Sequence, residues 1–116
     1  MDIAVRTSDG TSIVDLDGDI TMRTTPEVRK VLLGQFREKH AHRVIVNMSG
    51  VRYIDSAGVA SLVEALRLSR DLKSRFALFG LGKVVRQVLE LTRLTKVFEI
   101  HDNEQEAVSA QEPNGA

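Results

Sequence analysis

Arg43-Val44-Ile45-Val46-Asn47-Met48, continued through the connector Ser49 to Ile54 and into Asp55-Ser56-Ala57-Gly58-Val59-Ala60-Ser61-Leu62, is the stretch that decides how this chain folds. Its first six residues are a short run rich in β-branched side chains, as expected for a strand covered on both faces. From about Ala57 to Leu72 the apolar positions recur at helical spacing instead. A covered strand leading through a short connector into a helix is half of a strand-helix-strand crossover, and such crossovers join parallel strands with a right-handed turn.

Toward the N-terminus, Thr24 or Thr25 can cap a helix whose first position is Pro26, where the missing N–H costs nothing. Val28, Val31, Leu32 and Phe36 share one side of that helix, which should end near His40. Before it, Ile3 to Ser8 and Thr11 to Asp17 are strand-like runs joined by Asp9-Gly10, a pair that tolerates the positive φ of a tight hairpin. Toward the C-terminus, Phe76 to Phe79 is a buried strand closed by Gly80, Lys83 to Arg93 a helix, Val97 to Ile100 a last short strand, and Glu104 to Ala110 a brief helix. The expected architecture is a single α/β domain over residues 1–110. It holds a mixed sheet of about five strands, with an antiparallel edge strand at the N-terminus and the remainder largely parallel, and four helices. Residues 111–116 are expected to form a disordered tail.

A chain of 116 residues that is 42% hydrophobic and 28% charged can build one self-sufficient core, and with 4% aromatics it must do so mainly from Val, Leu and Ile. The absence of cysteine excludes disulfides, thiolate metal sites and a Cys nucleophile, and fits a reducing compartment. Met1 to Thr11 never gathers the apolar run of a signal peptide, and charges interrupt every hydrophobic segment before it reaches membrane-spanning length. A cytoplasmic protein with no direct membrane insertion is therefore expected. Sixteen basic residues balance sixteen acidic ones, so no global field draws in nucleic acid.

Several tempting motifs fail on spacing. Asp15-Leu16-Asp17-Gly18-Asp19 opens like a calcium loop, but its glycine comes too early and Pro26 stands where the bidentate glutamate belongs. Gly80-Leu81-Gly82-Lys83 follows a strand and opens a helix, yet Val84 replaces the magnesium-binding Ser or Thr, so a tight turn is expected rather than a phosphate loop. His40 and His42 lack further ligands nearby and suit a helix C-terminus. Asn47 and Met48 end the central strand where a response-regulator aspartate would stand. No metal and no cofactor is expected.

Ser56 then holds attention. It falls at the N-cap of the second helix or one residue from it, where a serine is commonly a cap worth about 1 kcal/mol. Three features argue for more. Helix N-terminal amides favour an anion, so a phosphate on Ser56 is compatible with the fold. Ala57, Gly58, Ala60 and Ser61 are small, so another protein can approach the hydroxyl. A helical wheel places Val59, Leu62, Val63 and Leu66 toward the core and leaves Ala57, Ser61, Glu64 and Leu68 on the opposite side, as a candidate docking face.

The run Asn47 to Leu62 resembles the signature of the STAS family, the sulfate transporter and anti-sigma factor antagonist domain, and the likeness extends from the hairpin through Gly18-Asp19-Ile20 to Val97-Phe98-Glu99-Ile100. The resemblance implies a βα superhelical fold. It also implies a function: an antagonist that binds an anti-sigma factor with serine kinase activity, thereby releasing a sigma factor, and that is switched off when Ser56, beside Asp55, is phosphorylated. A phosphatase that resets Ser56 is implied in turn, and a monomer or weak dimer is expected. At Thr21 and Asn47 the family often has aspartate, so the acceptor's surroundings are expected to be less acidic here.

A serine hydrolase is the main enzymatic rival, because Ser56 sits at a strand-to-helix corner. Ile54 stands where the nucleophile elbow has glycine, and only His40, His42 and His101 are available as bases, so a non-enzymatic role is expected. The other alternative is a non-switching scaffold or regulatory subunit of a signalling assembly or lipid transporter, as STAS domains also resemble.

Overall fold

A hairpin opens the structure. Strand β1 (Asp2–Ser8) turns through Asp9 and Gly10, both at positive φ (51° and 80°), and pairs antiparallel with β2 (Thr11–Asp17). Helix α1 (Thr25–Arg37), β3 (Arg43–Gly50), α2 (Ser56–Asp71), β4 (Arg75–Phe79), α3 (Lys83–Leu91), β5 (Glu99–His101) and α4 (Glu104–Ser109) follow. The computed structural model describes residues 1–110; the expected tail at 111–116 lies outside them. The sheet order is β1-β2-β3-β4-β5, and every pairing after the first is parallel.

Alternation across the strands explains the layers. Val14, Leu16, Val44, Val46, Met48, Phe76 and Leu78 point to one face and build the main core with Leu32 and Phe36 of α1, Leu62 and Leu66 of α2, and Val85 and Leu89 of α3. Phe76 stands between Phe36 and Phe98, each ring centroid 6.3 Å away. The opposite sheet face buries Ile45, Ala77 and Phe79 against Ala107 of the short α4. No described helix is long and apolar enough to cross a membrane.

Element edges differ from expectation where packing overrides pattern. The last strand begins at Glu99, two residues later than Val97, because Phe98 turns inward and its amide closes on the Leu94 carbonyl. The first helix stops at Arg37, and His40 takes a left-handed conformation (φ 53°) in the turn that follows. Thr24 is the N-cap residue of α1, but its hydroxyl does not cap the helix. It donates instead to the Asp19 carbonyl at 2.8 Å and accepts the Thr21 amide at 2.9 Å, closing the loop between β2 and α1 on itself.

Candidate functional site

Two connectors meet at the C-terminal ends of β2 and β3. The Ile20 amide donates to the Tyr53 carbonyl at 3.0 Å, the Asp55 amide donates to the Ile20 carbonyl at 3.1 Å, and Ile20 and Ile54 form an isolated parallel bridge. Both isoleucine side chains are fully buried, which anchors the two segments against the core. The pairing delivers Asp55 to the start of α2 as its N-cap.

The Asp55 carboxylate then accepts two backbone amides from different segments: Gly58 of its own helix and Met22 of the β2–α1 loop, each at 2.9 Å. Those two bonds, Gly58 first and Met22 second, hold the Asp55 carboxyl below the ordinary aspartate value of 3.8. Ser56 is the first residue of the helix. Its side chain is exposed, and its hydroxyl has no hydrogen-bond partner among the described residues. Capping is done by Asp55, so the hydroxyl of Ser56 is available for other chemistry.

Around Ser56, the predicted residues divide. Asp55 is half-buried and structural. Thr21 lies in the adjoining loop, half-buried, its hydroxyl accepting the Arg23 amide at 3.3 Å. Ala57, next to Ser56, is half-buried.

Gly58 is not part of an open surface. It is buried, and a Cβ there would sit 2.6 Å from both the Ile20 carbonyl oxygen and Ile54 Cγ1. Its smallness lets α2 press against the paired connectors, which is an internal use.

The expected docking face on Ala57, Ser61, Glu64 and Leu68 is corrected as well. Ser61 is only 6% exposed, with its hydroxyl donating to the Ala57 carbonyl at 3.1 Å. Leu68 packs on the main core. Glu64 forms a bidentate pair with Arg29 of α1, at 2.6 and 2.7 Å, which holds the Glu64 carboxyl below its usual range. This side of α2 is tied to α1 through Glu64 and is otherwise turned toward the interior. The solvent stripe runs instead through Ser56, Ala60, Arg67 and Arg70, with Val63 half-buried among them. A helix wedged between a sheet and a neighbouring helix buries more than one stripe, so a two-sided wheel assigned the wrong side to solvent.

Asn47 also moves out of the site. It shares parity with Ile45, on the sheet face that α4 covers, and its amide donates to Asp15 Oδ1 at 2.8 Å. Asp15 there meets Arg6, which also reaches Glu104 at 2.7 Å. The Arg6 guanidinium holds the Asp15 and Glu104 carboxyls below their usual range. Asn47 thus belongs to the network of Asp15, Arg6 and Glu104 that fastens α4.

Sequence reasoning passed over two residues that the fold sets beside Ser56. Met22 is 73% exposed at the tip of the loop that Asp55 holds, and Tyr53 is 48% exposed two residues before Asp55. A methionine set among threonines and an arginine in a polar turn, and the only tyrosine in the chain three residues before Ser56, were the available signals. Among the described residues no cluster of metal-ligating side chains gathers, and no histidine hydrogen-bonds to Ser56; His101 is engaged with Glu99 at 2.7 Å. The geometry offers an exposed hydroxyl at the start of α2, next to an Asp55 that holds the loop carrying the exposed Met22.

Comparison with known proteins points to one family. A model of the STAS domain matches residues 2–107. Over 89 residues, 77% of each chain, the protein is 30% identical to an anti-sigma-B factor antagonist of Listeria monocytogenes. Its fold is similar to the crystal structure of an anti-sigma factor antagonist from Mycobacterium paratuberculosis, with a TM-score of 0.82, 23% identity, and 93% and 91% of the two chains covered. It is also similar to the Bacillus cell fate determinant SpoIIAA in its phosphorylated form, with a TM-score of 0.72, 18% identity, and 92% and 96% covered.

Proposed function

The chain belongs to the STAS domain family, and on that premise we propose that it is an anti-sigma factor antagonist whose binding to an anti-sigma factor is ended by phosphorylation of Ser56. The observation that carries this reading is the Ser56 hydroxyl itself: exposed, without a hydrogen-bond partner among the described residues, and on the first residue of α2 beside a neighbour that already caps the helix. Similarity to named anti-sigma factor antagonists supports the partner class. The partner carries serine kinase activity, a phosphatase resets Ser56, and the protein works in the cytoplasm without catalysing a reaction of its own.

The switch follows from charge and desolvation. A phosphate brings roughly −1.5 to −2 charge at neutral pH. The Gly58 amide, which would otherwise attract it, is committed to Asp55. The new charge therefore stays outside, next to a carboxylate and within the rim of Met22 and Tyr53. A partner covering that rim must strip water from the phosphate. A net loss of ~3 kcal/mol weakens a complex by roughly 100-fold. The helix need not unfold, since its cap is the Asp55 side chain.

Incubation with the cognate kinase and ATP should add one phosphate, located by mass spectrometry at Ser56, and Ser56→Ala should abolish it. Ser56→Asp should weaken binding to the anti-sigma factor. A phosphate on another residue, or normal binding by Ser56→Asp, overturns the reading.

A further inference from the structure

We propose that Arg43, with Thr11, Ile13 and Val108 around it, is a binding site for a small aliphatic carboxylic acid. The site lies on the sheet face that carries Ile45, Ala77 and Phe79, opposite the main core and helices α1, α2 and α3. The short α4 stands over β3, β4 and β5 there. Beside it, a groove of about 350 Å³ is lined by Thr11 and Ile13 of β2, Arg43 of β3 and Val108 of α4. Thr11 and Arg43 are the first residues of their strands and stand next to each other in register. Ser56 follows the other, C-terminal end of β3, so a ligand here leaves it uncovered.

Three arginines share this sheet face, and their partners differ. Arg6 presents Nε and Nη2 to the two Asp15 oxygens at 2.8 Å each, the paired geometry in which a guanidinium holds a carboxylate. Arg75 reaches Glu99 at 2.8 Å. Arg43, half-buried, has no carboxylate partner among the described residues. Its Nε and Nη2 both aim at one neutral oxygen, Thr11 Oγ1, at 3.3 Å each, and its Nη1 meets the Ala110 carbonyl at 3.3 Å. All three bonds are longer than the roughly 2.7–2.9 Å that a charged donor makes with a carboxylate. The edge of the guanidinium that fits two carboxylate oxygens is thus facing a single hydroxyl. A carboxylate entering the groove would take Nε and Nη2, and the Thr11 hydroxyl, which donates as well as accepts, would bond the same anion. Behind that polar end, Ile13 is half-buried and Val108 is 40% exposed, so an aliphatic chain has apolar side chains to lie against. The groove is at the small end of ligand cavities and suits an acid of about six carbons. Arg6 also lines it but is engaged with Asp15 and Glu104, and Asp9 lines it from the exposed hairpin turn. One uncommitted cation in an apolar setting selects a monocarboxylate over a phosphate, whose second charge would be desolvated without a partner.

Titration of the full chain with sodium hexanoate, followed by the amide resonances in two-dimensional NMR, tests the site. Saturable shifts are expected at Thr11, Ile13, Arg43 and Val108. Hexanamide, which keeps the chain without the charge, and inorganic phosphate, which has charge without the chain, should each bind about tenfold more weakly or worse. Arg43→Gln should weaken hexanoate by about tenfold or more while circular dichroism shows a folded domain. Val108→Glu changes an exposed position and sets a like charge at the groove, so it should weaken hexanoate by about fivefold even if Arg43→Gln fails to fold. Absence of saturation at millimolar hexanoate overturns the proposal. So do shifts that both substitutions leave unchanged, and phosphate or hexanamide binding as tightly as hexanoate. None of these results bears on phosphorylation of Ser56, which is read separately by mass.

Discussion

The Met22 amide donates to Asp55 Oδ2 at 2.9 Å, tying a loop that precedes α1 to the first turn of α2 across 33 positions of sequence. Because Asp55 Oδ1 accepts the Gly58 amide at the same distance, one carboxylate both starts the helix and holds the exposed Met22 beside Ser56. Replacement by asparagine keeps one acceptor oxygen and a competent cap but cannot accept on both sides. Asp55→Asn should therefore speed hydrogen exchange at Met22 while leaving Gly58 protected, whereas Asp55→Ala should expose both. Unchanged exchange at Met22 in Asp55→Asn would show that the brace is not what holds the loop.

Acid should loosen the same joint. Asp55 titrates below 3.8 in the folded protein because Gly58 and then Met22 hydrogen-bond its charged form. A carboxyl lowered by folding contributes stability that is present above its unfolded value and is lost as pH falls through the folded one. The gap in urea midpoint between the wild type and Asp55→Asn should therefore be constant from about pH 7 to about pH 5 and shrink toward about pH 3. A gap that widens in acid contradicts this sign.

Gly58→Ala tests how closely α2 is pressed on the connectors. The added methyl would meet the Ile20 carbonyl oxygen and Ile54 Cγ1 at 2.6 Å, and both belong to buried residues with no room to withdraw. Overpacking of this kind costs roughly 1–3 kcal/mol, against the small gain in helix propensity. Denaturant unfolding measures it, and a variant as stable as the wild type would mean that α2 can shift freely.

Met22 offers a way to separate folding from binding. Its side chain is 73% exposed, so Met22→Lys should change stability by no more than about 0.5 kcal/mol. If the partner covers the rim of the site, the same substitution should weaken binding by about tenfold or more, measured by calorimetry with the purified anti-sigma factor. Binding equal to wild type would place the contact elsewhere.

Much of this was legible in the chain. The Arg43 to Met48 run, the Asp9-Gly10 turn and the spacing of Val28, Leu32 and Phe36 are local signals, because strand burial, hairpin geometry and helix periodicity are written in residues close together in sequence. Ser56 was legible for the same reason, lying in a short motif at a strand-to-helix corner. The role of Gly58, the burial of Ser61, the pairing of Glu64 with Arg29 and the bond from Asn47 to Asp15 were not, since each depends on which other element lies alongside.

By itself, then, the sequence determined an α/β domain with an antiparallel edge strand and a serine at the start of its second helix. Tertiary structure alone decided which side of that helix meets water, by burying Ser61, pairing Glu64 with Arg29 of α1 and packing Leu68 on the main core. It alone brought Met22 to Asp55. Periodicity reports how a segment prefers to bury its own side chains, but it carries no information on what comes to rest against them from a distant part of the chain.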